Sequence, residues 1–336
     1  MPLTAPDPIA VIGAGPAGTM CARRLHEAGL PVQIFDKGRG IGGRTSVRRH
    51  EALRFDHGAP FFTVRHPAIR ERLEAWIEMG AVAEWIAKIA WVKDNDTRPA
   101  RPGPRYVGVP GMNALATHLA EGLTIQTGVR VQTLARGQEG WRFRDANERE
   151  YGPFSTVVLT MPAPQAVPLL ASAPRLKAKV REIEMLPCIA TMLAFDDTLA
   201  PNYDAAFFAN GSLSWAARNS SKPGRPSAEA WVLHAAPDWS REHSLLPREE
   251  IADRLLADSK AQLRPICGEF PKPSFQRSHV WALARAREPL EEGYLFDAEL
   301  ALGVAGDWCC GNRVEGGLLS GLSVAEGLLN ETSRMD

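Results

Sequence analysis

Near the start of the chain, Gly13-Ala14-Gly15-Pro16-Ala17-Gly18 spaces three glycines in a way that suits phosphate binding. The motif sits between an apolar run at residues 8–12, which reads as a buried parallel strand, and a helical stretch at 16–28 closed by Gly29. Gly13 allows a tight turn, Gly15 lets the backbone approach a pyrophosphate, and Gly18 lets the helix pack close on the strand. The helix N-terminus, with Ala17 in its first turn, offers free N–H groups and the positive end of a dipole. Asp36 ends the next strand, residues 32–35, and is placed to accept hydrogen bonds from ribose hydroxyls. This βαβ start predicts a bound dinucleotide and leaves NAD and FAD both open.

The following segment narrows that choice. Arg39-Gly40-Ile41-Gly42-Gly43-Arg44 comes directly after Asp36 and Lys37. Adjacent glycines at 42 and 43 let the backbone pass flat under a pyrophosphate, which Lys37, Arg39 and Arg44 can neutralise. A second glycine-rich segment lies near the other end, from Gly306-Asp307-Trp308 through Arg313-Val314-Glu315-Gly316-Gly317. A short strand at 302–305 delivers Asp307 at a turn, where its carboxylate suits a ribityl hydroxyl. Gly316-Gly317 opens a small-residue helix whose N–H groups can face a flat ring. Negative charge on a reduced flavin collects at N1 and O2, and a helix N-terminus there stabilises it. The two segments together predict FAD held from both ends of the chain.

The elements between them indicate an α/β fold in which a Rossmann-like FAD-binding domain carries an inserted α+β substrate domain. Strand-like stretches at 189–195, 205–209, 213–217, 230–235 and 274–283, with a helix at 247–263, read as a mostly antiparallel sheet covered by one helix. Helices are also expected at 66–79 and 111–121, strands at 129–134, 141–144 and 157–160, and a linker across the proline-rich residues 97–110. The expected division assigns 1–65, 105–164 and 296–336 to a discontinuous FAD-binding domain, and 66–104 and 165–295 to the substrate-binding domain.

Composition excludes several roles. The chain has 336 residues, 39 basic and 39 acidic, so no net charge draws it toward nucleic acid or an anionic membrane. No apolar run approaches the roughly 20 residues of a membrane span, and residues 1–8 do not read as a signal peptide. Five scattered cysteines fit reduced thiols in a cytoplasm, with Cys309-Cys310 as apolar fillers. No cysteine pair has zinc-ligand spacing. A small-molecule substrate is expected, acted on by a monomer or weak dimer.

The ordered set Gly13 to Gly18, Asp36, Gly42-Gly43-Arg44, Asp56-His57-Gly58-Ala59 and Gly306 to Gly321 resembles the flavin amine oxidase superfamily. Within it, Val107 to Met112, Trp215 to Pro223, Trp231 to Ala235 and the stretch around Arg313-Val314-Glu315 look most like the renalases, especially the bacterial type. The resemblance implies the two-domain amine-oxidase fold and non-covalent FAD, with Gly58 and Ala59 beside the cofactor. It implies oxidation of the 2- and 6-dihydro isomers of NAD(P)H to NAD(P)⁺, with O2 reduced to hydrogen peroxide. Asn219 and His234 match that family's polar pair facing the flavin, and Val131 matches the residue whose backbone meets the adenine. The chain departs from the pattern at Pro60-Phe61, where the family usually has Gln-Tyr.

Arg313 occupies the place where amine oxidases carry a cage tyrosine, and a cation there repels a protonated amine. Amine oxidases also tend to carry a lysine near the flavin, and the matching stretch 186–191 has none. The implied chemistry is hydride transfer from a dihydropyridine carbon to flavin N5, driven by aromatisation, so no strong base is required. Asn219 and His234 would orient the substrate amide. Equally, His234 fits a core histidine bonded to backbone, and Asn219 a turn residue. Trp215, Trp231 and Trp281 fit strand packing. An amine oxidase or a desaturase-like enzyme on the same fold is the alternative.

Overall fold

Ile9, Ala10, Val11 and Ile12 are all buried, as a short apolar run needs to be when both faces of its sheet are covered. The computed structural model describes residues 7–94 and 96–335, and Ile9–Ile12 is central to a six-stranded sheet. The order is Tyr294–Asp297, Leu302–Ala305, Thr156–Leu159, Ile9–Ile12, Val32–Asp36 and Thr124–Thr127. All neighbours are parallel except the antiparallel edge strand Tyr294–Asp297. Both ends and the middle of the chain therefore contribute to one sheet. Residues 1–6 and 336, which the expected domain division includes, lie outside the described residues, as does most of the stretch read for a signal peptide.

The second sheet has seven strands, ordered Phe275–Ala286, Met185–Ala194, Ala230–Ala235, Leu213–Arg218, Ala205–Phe208, Ile89–Lys93 and Asp96–Pro99. Its pairs are antiparallel except Ala205–Phe208 with Ile89–Lys93. Strand side chains alternate between faces. Ile189, Leu193, Trp231 and Leu233 meet Ile251, Leu255 and Leu263 of the helix Arg248–Cys267. Met192 and Val232 turn the other way, onto Phe55, and Trp215 and Ala217 join Trp85 and Phe62.

Two expectations need correction. The proline-rich stretch is not simply a linker: it holds the strands Asp96–Pro99 and Tyr106–Gly108, the latter paired with Val82–Glu84. Pro99 ends a sheet-edge strand, where a missing N–H costs no ladder bond. The last helix begins at Val314, so Gly316 and Gly317 lie in its first turn rather than opening it. No helix among the described residues is long and apolar enough to cross a membrane. All five cysteines are free.

Candidate functional site

The glycine turn folds as its spacing predicts. Gly13 has φ +123°, a left-handed conformation, and a Cβ on Gly18 would stand 1.9 Å from the Gly13 carbonyl oxygen. That contact sets how closely the helix Pro16–Glu27 packs on its strand. The Gly42 N–H donates to the Ala14 carbonyl at 2.8 Å, and a Cβ on Gly43 would lie 3.2 Å from Gly15 Cα. The 39–44 segment thus rests against the glycine turn. Asp36 accepts from the Ala14 and Gly38 N–H groups, both at 2.6 Å. Each oxygen keeps spare acceptor capacity for a ribose hydroxyl. Gly128 and Val129 donate to the Gly38 and Asp36 carbonyls, which brings the strand beginning at Val131 beside the same acid. Lys37 instead reaches Gln165 at 2.8 Å, and Arg39 is exposed.

The far glycine segment converges on this turn. A Cβ on Gly321 would stand 2.1 Å from the Ala17 carbonyl oxygen, so the helix Val314–Met335 lies directly against Pro16–Glu27. A Cβ on Gly317 would be 3.8 Å from Pro16 Cβ and 3.9 Å from both Ala17 N and Asp307 Cβ. Two helix N-termini therefore sit side by side over a floor with no side chains at Gly15, Gly43 and Gly317. Gly316 packs on the Cys310 carbonyl, and the Gly306 N–H donates to Ser320 Oγ at 2.8 Å.

Other residues expected at the cofactor also bond within the protein. Arg44 and Asp307 form a bidentate pair, with Nη1 to Oδ2 at 3.0 Å and Nη2 to Oδ1 at 2.5 Å. Glu315 accepts the Arg65 and His66 N–H groups at 2.5 and 2.7 Å, tying the last helix to the turn before Pro67–Glu78. Val314 joins the apolar cluster around Trp85. Arg313 is exposed and makes no side-chain hydrogen bond or ion pair among the described residues.

The loop Asp56-His57-Gly58-Ala59 links the glycine floor to the seven-stranded sheet. The Ala59 N–H donates to the Arg44 carbonyl at 3.0 Å, and a Cβ on Gly58 would stand 1.9 Å from that oxygen and 3.5 Å from Trp281 Cζ2. The His57 carbonyl accepts from Trp281 Nε1 at 2.8 Å and lies 3.3 Å from His234 Nε2. Strand register places His279, Ala190, His234, Trp215 and Phe207 in one row across the sheet. Phe61 packs on Trp215 and Phe207, with ring centroids 5.3 and 6.1 Å away. Burial, aided by His279 and His234, pushes the His57 pKa down to about 3. Burial likewise pushes His234 down to about 4, so both rings are neutral at pH 7.

Among buried side-chain atoms of the described residues, His57 Nδ1 and Trp215 Nε1 have no partner. They flank His234, one through the loop and one through the sheet register. Leaving such groups unpaired costs about 1–3 kcal/mol each, and a polar ligand or an ordered water there would relieve it. Asn219, by contrast, has both amide atoms bonded: its Nδ2 donates to the Arg54 carbonyl at 2.7 Å and its Oδ1 accepts the Asp56 N–H at 3.3 Å. Its amide holds the loop strand, as a turn residue would.

Sequence reasoning missed a buried charge cluster beside this row. Lys222 Nζ and Arg225 Nη2 stand 2.9 and 2.7 Å from Asp56 Oδ2, with all three side chains no more than 1% exposed. The Met112 N–H donates to the other carboxylate oxygen at 3.0 Å. Burial alone would raise the Asp56 carboxyl, but Lys222, Arg225 and the Met112 N–H outweigh it and hold it below the usual range. Burial pulls Lys222 down to about 8 against the attraction of Asp56. Lys222 also lies 5.5 Å from the Trp85 ring centroid. No spacing rule joins residue 56 to residue 222.

A glycine floor beside two helix N-termini, with buried polar atoms lacking partners near His234, suits an extended dinucleotide with a polar ring at one end. Residues 72–329 match the family described as flavin containing amine oxidoreductase, and residues 11–76 match the NAD(P)-binding Rossmann-like domain. The chain belongs to the flavin containing amine oxidoreductase family and is an FAD-dependent oxidoreductase.

More particular relatives match over short stretches. The phytoene desaturase of Cercospora nicotianae is 46% identical over 59 residues, 17% of this chain and 10% of that protein. The phytoene desaturase of Phycomyces blakesleeanus is 32% identical over 80 residues, 22% of this chain and 14% of that protein. Among solved structures, cyclohexylamine oxidase from Brevibacterium oxydans IH-35A has a TM-score of 0.74 at 12% identity, covering 98% of this chain and 100% of that one. A chain from Exiguobacterium sp. 255-15 named after protoporphyrinogen oxidase has a TM-score of 0.75 at 13% identity, covering 96% and 99%. These likenesses show the fold alone.

Proposed function

We propose that the enzyme oxidises misreduced nicotinamide nucleotides, the 2- and 6-dihydro isomers of NAD(P)H, to NAD(P)⁺. The observation that carries this reading is the pair of buried polar atoms without a partner among the described residues, His57 Nδ1 and Trp215 Nε1, flanking His234 on a largely aromatic wall. A planar heteroaromatic ring bearing an amide matches that mixture of apolar faces and a few polar atoms. FAD, when bound, accepts the hydride and passes electrons to O2. The chain's own part is to hold the two rings together, exclude water and keep His57 and His234 neutral. No group of the protein needs to remove a proton, because the substrate becomes aromatic as the hydride leaves.

The proposed cofactor contacts are the backbones at Gly13 to Gly18 and Gly42 to Arg44, with Asp36, Gly58-Ala59, Val131, Gly306-Asp307 and Gly316-Gly317. The proposed domain division places these in the segments 1–65, 105–164 and 296–336. The alternative, an amine substrate, is disfavoured by charge. Asp56, Lys222 and Arg225 carry one more positive than negative charge when all are ionised, and two cations already lie against the aromatic wall: Lys222 at Trp85 and Arg105 at 5.7 Å from the Phe61 centroid. A protonated amine would be repelled there.

The test is anaerobic titration of the holoenzyme with borohydride-treated NAD⁺, a mixture of the 2-, 4- and 6-dihydro isomers. Fast bleaching of the flavin by the minor isomers, with none by primary amines, is expected. Bleaching by an amine alone would overturn the reading.

A further inference from the structure

The edge strand Phe275–Ala286 turns Arg277, His279 and Trp281 to one face, two residues apart. His279 and Trp281 pack on His57, with centroids 5.0 and 5.1 Å away. One step further along, Arg277 and His279 line a cavity of about 170 Å³. Arg48, from the strand Arg48–His50, and Arg248, from the first turn of the helix Arg248–Cys267, complete its cationic wall. Met192 and Glu249 line it as well.

Three arginines from three separate elements thus surround one cavity with a single carboxylate among them. None of the three makes a side-chain hydrogen bond or ion pair with any described residue. Some arginines elsewhere are paired, as Arg44 with Asp307, Arg218 with Glu229 and Arg287 with Glu184, whereas these three share one cavity. The cavity is partly open, with Arg248 and Arg277 exposed and Arg48 half-buried, and guanidinium groups lining one space are the side chains best shaped for phosphate oxygens. Arg48 and Arg248, after burial, also lower the His279 pKa, which reports the positive potential of the wall. The helix N-terminus at Arg248 adds to it.

We propose that this cavity binds the phosphate arm of the substrate, so that Arg48, Arg248 and Arg277 select phosphorylated nicotinamides over the bare riboside. The inference rests on the substrate class proposed above. The ring end is joined to the cavity through a single contact, His57 to His279, and one ribose separates a nicotinamide ring from its first phosphate. The cavity is distinct from the glycine floor that receives the pyrophosphate of FAD, so both can be filled together.

The experiment uses FAD-loaded wild type and the triple variant Arg48→Gln, Arg248→Gln, Arg277→Gln. Calorimetric binding of inorganic pyrophosphate should weaken at least about 30-fold in the variant, the loss of roughly one charge-assisted contact. The kcat/KM for 2- and 6-dihydro isomers of nicotinamide mononucleotide should fall by about 10-fold or more, while that for the matching riboside isomers stays within about twofold. Pyrophosphate binding unchanged in the variant, or absent from wild type, overturns the cavity assignment even if the isomers bleach the flavin. Equal losses for nucleotide and riboside also overturn it. Selective pyrophosphate binding with no bleaching by any isomer overturns the nicotinamide reading instead, and with it the claim that the arm belongs to that substrate.

Discussion

The two ends of the site are built by different means. At the phosphate end the surfaces are backbone: glycines at 13, 15, 18, 43 and 317, with contacts too close for a side chain at Gly18 and Gly321. At the ring end the surfaces are side chains from the loop 56–59 and from a row that crosses five strands. A glycine cradle needs short-range spacing and tolerates little else. A side-chain wall needs long-range register, and its chemistry can change while the fold persists. The difference teaches where this chain's specificity can be set: Phe61 stands in an aromatic cluster with Trp85, Phe207 and Trp215 at the proposed ring end, where side chains rather than backbone form the surface.

The sharpest way to break the comparison is at the buried charges. Asp56→Asn leaves Lys222 and Arg225 buried without their counter-ion, and the expected cost is about 3–5 kcal/mol of stability. Urea unfolding of the purified variant measures it, and a loss below about 1 kcal/mol would mean that the cluster is hydrated rather than buried.

A second pair of variants separates folding from cofactor binding within the glycine end. Gly18→Ala forces a Cβ into the Gly13 carbonyl and should cost about 1–3 kcal/mol by overpacking. Gly15→Ala has its nearest neighbours at 3.9 Å, so the fold should survive while the floor rises under the pyrophosphate. FAD affinity is expected to drop at least about 10-fold in Gly15→Ala with the apoprotein melting point unchanged. Equal FAD affinity for Gly15→Ala and wild type would remove the cradle from the phosphate site.

The smallest effect concerns acid. His234 and His57 have pKa values of about 4 and about 3 in the folded protein, below the ordinary value of 6.5. The unfolded chain therefore takes up protons first as pH falls, and stability is full above pH 6.5 and lost on the way down. Between pH 7 and pH 5, His234 should account for about 1–2 kcal/mol of that loss. The slope of unfolding free energy against pH should flatten in His234→Gln, and an unchanged slope would show that the ring is not buried neutral.

Much of this was legible beforehand. The first strand, the glycine turn, Asp36 and the far glycine segment all signal through residues a few positions apart, where local sterics decide the outcome. Five strands of the second sheet were visible from alternation; Asp96–Pro99 was not, because its proline masks an edge strand, and neither were Ile89–Lys93 and the pairing of Tyr106–Gly108 with Val82–Glu84, which are short and depend on distant partners. Site residues read from side-chain chemistry fared differently. Arg44 and Asp307 were both aimed at the cofactor and are found bonded to each other, and Glu315 holds a helix start. A carboxylate or guanidinium has many eligible partners, and sequence does not say which is nearest.

By itself, then, the order of residues determined the dinucleotide turn, the pairing of two glycine segments and the two-sheet architecture, since each depends on backbone sterics and hydrophobic period. Tertiary structure alone decided that Asp56 meets Lys222 and Arg225, that His57 and His234 are buried and neutral, and that Arg48, Arg248 and Arg277 share one cavity. Those facts depend on distances between residues far apart in the chain and on how much water packing removes between them, and both arise only when the chain has folded.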